Sequence, residues 1–281
     1  MKERRWIIDT TLRDGEQRPG ICFRREDKLF IASVLDALHV HEIEAGSPCL
    51  GKEECDGIRE MVANKKHSLI SVWSRMNLND IRLAMECCPD VIHIGAPVSY
   101  VQIYSKLKKN KSWMIKTLCE CIELVQSKNI AVTVGFEDAS RADVGFLIML
   151  AKKLQEYKAT IRLSDTVGVM TPDRTRAMVE ELLSQAFAEI EIHVHNDLGM
   201  AVANSLEAAK AGANYIDCTL FGIGERSGNC NFHDFVKIGQ QVFELGMEAH
   251  HVAEAEQRVR EWFVRAGKEY DYARTNCSIT R

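Results

Sequence analysis

The sequence predicts an α/β chain folded as a (β/α)8 barrel, a single barrel domain with a short helical extension at its C-terminal end. Three observations predict it. Short runs rich in β-branched residues alternate with amphipathic stretches eight times. The units are evenly spaced over residues 5–245, with no Pro/Gly/Ser-rich linker and no low-complexity segment between them. Polar residues follow seven of the eight predicted strands, all at the C-terminal end, where such barrels carry their chemistry. A doubly wound open sheet is the second reading, but it rarely needs eight units of such even spacing.

The strand–helix pairs run in order along the chain. The first strand is expected at 5–10 and its helix at 24–39. The next pairs are 41–45 with 50–64, 68–73 with 78–86, 90–95 with 112–128, and 130–136 with 141–157. The sixth strand, 160–164, leads to a helix at 172–187, where Thr171 is an N-cap and Pro172 fills the first helical position. The seventh, 189–193, leads to 200–211, and Gly212 is a plausible stop. The eighth strand, 214–219, precedes a helix at 231–245. One charged helix is expected at 253–266 and a loose tail at 271–281. The division is therefore a barrel at 1–246 and a C-terminal helix and tail at 247–281.

Bulk composition excludes several classes. The 281 residues are 46% hydrophobic, enough for one large core. A net charge of −4 gives no nucleic-acid footprint. No apolar run reaches the roughly 18 residues needed to span a bilayer. The opening Met1-Lys-Glu-Arg-Arg-Trp lacks the apolar segment of a secretory signal. The ten cysteines contain no CxxC pair and read as reduced cytoplasmic thiols, mostly small core fillers.

The residues at the strand ends carry the chemistry. Arg13, Asp14 and Gln17 follow strand 1; Glu44 ends strand 2; Arg75 follows strand 3. Glu137 and Asp138 follow strand 5, Asp165 and Thr166 follow strand 6, and His193 and His195 close strand 7. Side chains at i and i+2 of a strand share a face, so the two imidazoles point the same way. With Asp14 they make a good ligand set for a divalent cation. Arg13, beside that acid, can hold a carboxylate or a developing oxyanion. Each residue alone has a plainer role: Asp14 a turn former, Arg13 a rim salt bridge, Glu44 a satisfied strand-end carboxylate. The segment 222–229 after strand 8 reads either as a mobile loop or as a receiver of a phosphate-bearing cofactor. The basic run 106–111 is a solvated loop or a contact for cofactor phosphates. Cys22, Cys49 and Cys230 lie near the rim, with no His beside them in sequence to make a nucleophile.

Three motifs together resemble the DRE-TIM metallolyase superfamily. They are Asp9-Thr-Thr-Leu-Arg-Asp-Gly-Glu-Gln17, His193-Val-His-Asn-Asp197 and Gly222-Ile-Gly-Glu-Arg-Ser-Gly-Asn229. The resemblance covers about residues 5–245 and is narrower toward the Claisen-condensing branch of homocitrate, isopropylmalate and citramalate synthases. Glu16 supports the synthases, since the related hydroxymethylglutaryl-CoA lyases carry Leu there. Val72-Trp-Ser-Arg75 and Gly135-Phe-Glu-Asp-Ala-Ser-Arg-Ala-Asp143 look most like homocitrate synthases of nitrogen-fixing bacteria. Alternative acceptors differ by one or two methylenes, worth only about 1–3 kcal/mol in a pocket.

The resemblance implies that Asp14, His193 and His195 hold a divalent metal (Mg²⁺, Mn²⁺, Zn²⁺ or Fe²⁺), with Asn229 a further ligand. It implies that Arg13 and Glu137 act catalytically and that Gln17, Glu44, Arg75 and Thr166 line the oxo-acid pocket. Acetyl-CoA is the implied co-substrate, lying near the 222–229 loop, and a 2-oxo acid the acceptor, 2-oxoglutarate giving homocitrate. In the resembling synthases a lid after the barrel, often from a neighbouring subunit, supplies the base. Residues 246–281 do not resemble that lid. A homodimer or a hetero-oligomer with a lid-supplying subunit is therefore expected; His233, His250 or His251 is the substitute base within the chain. A carbon–carbon lyase or aldolase using the same metal, and a non-catalytic barrel subunit, are the rival readings.

Overall fold

The structure is a computed structural model and describes residues 2–268. Eight parallel strands, β1 Trp6–Asp9, β2 Glu42–Glu44, β3 Leu69–Arg75, β4 Val91–Pro97, β5 Ala131–Glu137, β6 Thr160–Asp165, β7 Ile190–Val194 and β8 Tyr215–Cys218, close into a barrel in sequence order. Helices α1 Arg25–Ala37, α2 Lys52–Asn64, α3 Leu78–Met85, α4 Lys111–Gln126, α5 Val144–Leu154, α6 Pro172–Gln185, α7 Ala201–Ala211 and α8 Phe232–Gly239 follow the strands one by one, and α9 Ala249–Arg265 comes after. The expected (β/α)8 barrel is the observed fold.

Strand register divides the side chains into two sets. Glu44 lies beside Ser71, Trp73 beside His93, Gly135 beside Arg162, Ser164 beside His193, and Ile8 beside Asp217. Neighbours in register share a face. The lumen-facing set is therefore rich in charge: Glu42, Glu44, His93, Arg162, Glu191, His193 and Asp217, all buried. The opposite face carries Ile43, Val72, Ile94, Phe136, Leu163 and Ile192, also buried. The apolar core thus sits between sheet and helices, where Leu35, Ile58, Leu118, Leu150 and Val179 meet it. Bulky branched residues usually fill the lumen of such barrels. Here polar groups do, and they need partners.

Several elements differ from the sequence reading, each for a local reason. The helix expected from 50 begins at Lys52, because Gly51 at φ 125° separates it from the turn Pro48–Leu50. α8 ends at Gly239, six residues early. The chain there turns back so that Glu244 N–H donates to the Glu3 carbonyl and Arg5 N–H to the Glu244 carbonyl, extending the β1 edge. The basic run beyond Val101–Lys106, a wide helical turn, leads straight into α4. Lys109 lies 5.2 Å over the Trp113 ring and Lys111 lies 4.1 Å over Phe146.

The extension packs on the barrel. α9 starts at Ala249, four residues ahead of expectation, with Glu248 and His251 capping reciprocally. It lies against α8 and α1, so it spans the seam where the last unit meets the first. Trp262 stacks on Phe30 with centroids 4.3 Å apart and donates to Asp27 Oδ1 at 3.0 Å; Phe263 stacks on Phe23 at 5.7 Å. The tail expected at 271–281 lies outside the described residues. No disulfide joins the cysteines among the described residues, and the buried Cys218 and Cys230 sulfurs stand 3.9 Å apart. No helix among the described residues is long and apolar enough to cross a membrane.

Candidate metal centre and active site

Asp14 reaches the barrel mouth because the chain after β1 curls tightly. The N–H groups of Asp14 and Gly15 both donate to the Thr10 carbonyl, at 2.9 and 3.1 Å. His193 faces the lumen from β7, and His195 is one residue past that strand on the same side. One ligand atom from each of Asp14, His193 and His195 lies within 4.8 Å of the others, and all three residues are buried. His193 and His195, about 180 positions from Asp14 in sequence, converge on it because β1 and β7 are separated only by β8 in the ring.

The neighbours of this triad orient it. His193 Nδ1 faces Asp217 Oδ2 at 2.9 Å, which turns Nε2 toward Asp14, 3.5 Å away. A carboxylate behind a histidine ligand fixes its tautomer and ring orientation. Asn229 Nδ2 donates to Asp14 Oδ1 at 2.7 Å and to the Ile223 carbonyl at 3.1 Å. Asn229 Oδ1 and His195 Nδ1 are buried without a hydrogen-bond partner. Buried polar atoms are normally satisfied, so two orphans beside a carboxylate and an imidazole fit a bound divalent cation. Gly224 makes the room. A Cβ there would sit 2.1 Å from Asn229 Nδ2 and 3.0 Å from Asp14 Oδ1.

The electrostatics agree. Burial opposes ionisation of Asp14, but Arg13 and His193 hold its carboxyl well below the usual range. Burial pulls His193 down, while its bonds to Asp14 and Asp217 push it up to about 9. Burial and then the His193 charge lower His195 to about 3. The pocket concentrates negative charge on Asp14 and Asp217, and a cation binding there competes with the His193 proton.

Beneath the triad, Arg13 bridges two acids. Its Nε lies 2.5 Å from Glu44 Oε2 and its Nη1 2.8 Å from Asp14 Oδ2. Glu44 also accepts from Arg162 Nη1 at 2.8 Å and meets His93 Nδ1 at 2.7 Å. Burial opposes charge on Glu44, but Arg13 and Arg162 keep it ionised, well below the usual range. His93 is lowered to about 3 by burial and by Arg162, so it is neutral and donates to Glu44. Burial raises Glu42 to about 7 and Glu191 well above the carboxylate range. Gly135 is the gap that admits His93, since a Cβ there would lie 2.3 Å from His93 Nε2.

The remaining expected residues are spread along the rim. Glu137 Oε2 accepts from Thr166 Oγ1 at 3.2 Å, and Thr166 Oγ1 also accepts from the Asp138 N–H at 2.9 Å. Gln17 is exposed and lines, with Arg13, Glu16, Ser47 and Trp73, a cleft of about 710 Å³ between the loops after β1 and β2. Arg75 stands apart from the triad. Its side chain is 63% exposed and pairs with Asp80 in the first turn of α3, a nearer carboxylate than any in the lumen. Asp165 organises its own loop, accepting from the Val169 and Met170 N–H groups. Asp197 receives Arg226 in two bonds of 2.9 and 3.0 Å, and Arg226 also donates to the Thr166 carbonyl, so the loop after β8 is tied down rather than mobile. His250 and His251 begin α9 beside Lys2, Gln240 and Glu248, at the end of the barrel opposite the triad, and are no substitute base there. His233 lies on α8, 3.6 Å from Asp234.

Sequence reasoning missed Glu42, His93, Arg162, Glu191 and Asp217 as site-bearing residues. The signal was present. Each alternates with aliphatic residues inside a predicted strand, as in Val91-Ile-His-Ile94 and Thr160-Ile-Arg-Leu-Ser164. In a barrel covered by helices, the polar half of such a pattern must face the lumen.

Comparison with known proteins gives the family. Residues 4–259 match the HMGL-like family. The homocitrate synthase subunit alpha of Clostridium pasteurianum is 44% identical over 237 residues, which are 84% of this chain and 88% of that protein. The homocitrate synthase of Frankia alni is 38% identical over 243 residues, covering 86% of this chain and 69% of that protein. Among solved structures, the hydroxymethylglutaryl-CoA lyase of Pseudomonas aeruginosa superposes with a TM-score of 0.81 at 19% identity, over 98% of this chain and 96% of that one, a likeness of fold. The resemblance to the synthase branch of the DRE-TIM superfamily is thereby borne out.

Proposed function

Because the chain belongs to the HMGL-like family, we propose that it catalyses a Claisen-type condensation of acetyl-CoA with a 2-oxo acid, 2-oxoglutarate giving homocitrate, in the cytoplasm. It is an acyltransferase of the homocitrate synthase-like kind. The observation that carries the reading is the buried cluster of Asp14, His193 and His195 with Arg13 bonded to its acid.

In this reading Asp14, His193, His195 and Asn229 hold a divalent metal, Mn²⁺, Zn²⁺, Fe²⁺ or Mg²⁺. The metal supplies Lewis-acid polarisation of the substrate carbonyl. Arg13, fixed by Glu44 and Asp14, places a positive fork where negative charge grows on the keto oxygen. Glu137, bonded by Thr166, handles a proton, and Gln17, Glu44 and Thr166 orient the oxo acid; Arg75, held by Asp80, does not. The base that takes the acetyl proton comes from a partner, either a second copy or a separate lid-bearing subunit. That a relative covered over 88% of its length is named as a subunit supports the second.

The test is thiol release from acetyl-CoA with pyruvate, oxaloacetate, 2-oxoisovalerate or 2-oxoglutarate, with and without Mn²⁺, alone and with genetically adjacent proteins. Mn²⁺-dependent release with 2-oxoglutarate is expected. No release with any acceptor, together with cleavage of a 3-hydroxyacyl-CoA, replaces the synthase by a lyase.

A further inference from the structure

Six side chains form a closed circuit inside the mouth of the barrel. Asp14 Oδ2 is 2.8 Å from Arg13 Nη1; Arg13 Nε is 2.5 Å from Glu44 Oε2; Glu44 Oε1 is 2.8 Å from Arg162 Nη1. On the other arm, Arg162 Nε is 3.2 Å from Asp217 Oδ2, Asp217 Oδ2 is 2.9 Å from His193 Nδ1, and His193 Nε2 is 3.5 Å from Asp14. The members come from β2, β6, β7, β8 and the loop after β1, so no stretch of sequence contains the circuit.

We propose that Arg162 is a positioning residue that sets the metal ligand His193 and the guanidinium of Arg13 at the same time. This rests on the reading that Asp14, His193 and His195 hold a divalent metal.

Arg162 is wholly enclosed, with a relative exposure of 0%. Among the described residues, its guanidinium is the group that joins the two arms below the triad. Through Glu44 it holds Arg13, and through Asp217 it holds the imidazole of His193. Glu191, bonded to the same Nε, braces it from the side. Planarity matters here: the rigid fork donates through Nη1 to Glu44 and through Nε to Glu191, and so fixes the guanidinium charge 3.2 Å from Asp217 as an ion pair. A lysine ammonium at the same place carries the charge but fixes no such separation. Gly135, beside Arg162 in register, leaves the lumen open for His93.

A guanidinium that merely stabilised the fold would, when replaced, lower the unfolding temperature and leave the cation affinity of the folded protein alone. A positioning residue loosens the cation. Residues behind metal ligands typically control about 10–100-fold in affinity.

The experiment is Mn²⁺ binding, read by calorimetry and by the electron paramagnetic resonance of the bound ion, in the full chain and in Arg162→Lys and Asp217→Asn. Both variants are expected to keep the far-ultraviolet spectrum of the parent and to bind Mn²⁺ about 10–100-fold more weakly, with a broadened resonance. Should Arg162→Lys fail to fold, Asp217→Asn reads the same arm with a near-isosteric change. Parent-like affinity and resonance in whichever variants fold overturns the assignment of Arg162. A parent chain that binds no Mn²⁺ overturns the metal reading and this inference with it.

Discussion

Arg13 and Glu44 are joined side chain to side chain at 2.5 Å across the first two strands, and the same guanidinium reaches Asp14 at 2.8 Å. One fork therefore ties a lumen acid to an acid of the candidate metal centre. Replacing Arg13 by Lys keeps a charge and loses the second arm. The expected result is a kcat about 100-fold lower, about 2.7 kcal/mol of transition-state stabilisation, with a much smaller change in the melting midpoint. Thiol-release kinetics beside a thermal melt check it; an unaltered kcat takes Arg13 out of the reaction.

Gly224 has no room for a side chain. Its would-be Cβ meets Asn229 Nδ2 at 2.1 Å, and Asn229 is the residue that holds Asp14 from the far side. Gly224→Ala should displace Asn229 and weaken Mn²⁺ binding by about 10-fold, the lower end for groups around metal ligands. Titration calorimetry measures this directly. Equal affinity in the variant means that Asn229 does not orient the acid.

Asp9 points away from the lumen and is raised from 3.8 to about 7, first by burial; its bonds from the Thr11 N–H and Oγ1 only partly offset this. Between those two values the native state binds more protons at Asp9 than the unfolded chain does. The contribution of Asp9 to stability therefore falls as pH rises from about 4 to about 7 and is level above. Three units correspond to at most about 4 kcal/mol. Asp9→Asn should remove this slope, so the variant gains on the parent between pH 5 and pH 8. Urea unfolding at the two pH values tests it; a constant gap between the two proteins refutes it.

Trp262 attaches α9 to the start of the barrel through its stack on Phe30 and its bond to Asp27. Trp262→Ala should cost about 3 kcal/mol, and the melting midpoint should drop by several degrees. Mn²⁺ affinity should stay as in the parent, because α9 packs on α8 and α1 rather than on the strand ends that carry the triad. A melt unchanged by the substitution leaves α9 without a stabilising role.

The barrel was legible because its elements are locally self-consistent: β-branched runs, an N-cap at Thr171, a stop at Gly212. Strand order followed from the repeat. The cluster of Asp14, His193 and His195 was legible because polar residues at successive strand ends can only meet at the mouth. What stayed hidden was set by long-range geometry. The early stop of α8 depends on Glu244 pairing with the chain near residue 4, 240 positions away. The circuit through Arg162 depends on register between strands, and register is invisible until the ring closes. Arg75 was drawn toward the pocket by its place after β3, but Asp80, five residues on, captures it first.

The placement of apolar residues outside the sheet and charges within it divides the labour of the molecule. Cohesion belongs to the outer jacket, where methyl groups from strands and helices interlock. Recognition belongs to the inner lining, whose members bond mainly to one another. A lineage could therefore rewrite its lining to suit a new acid while leaving the jacket untouched. The cost is that lining residues change in concert, since one altered charge strands the others.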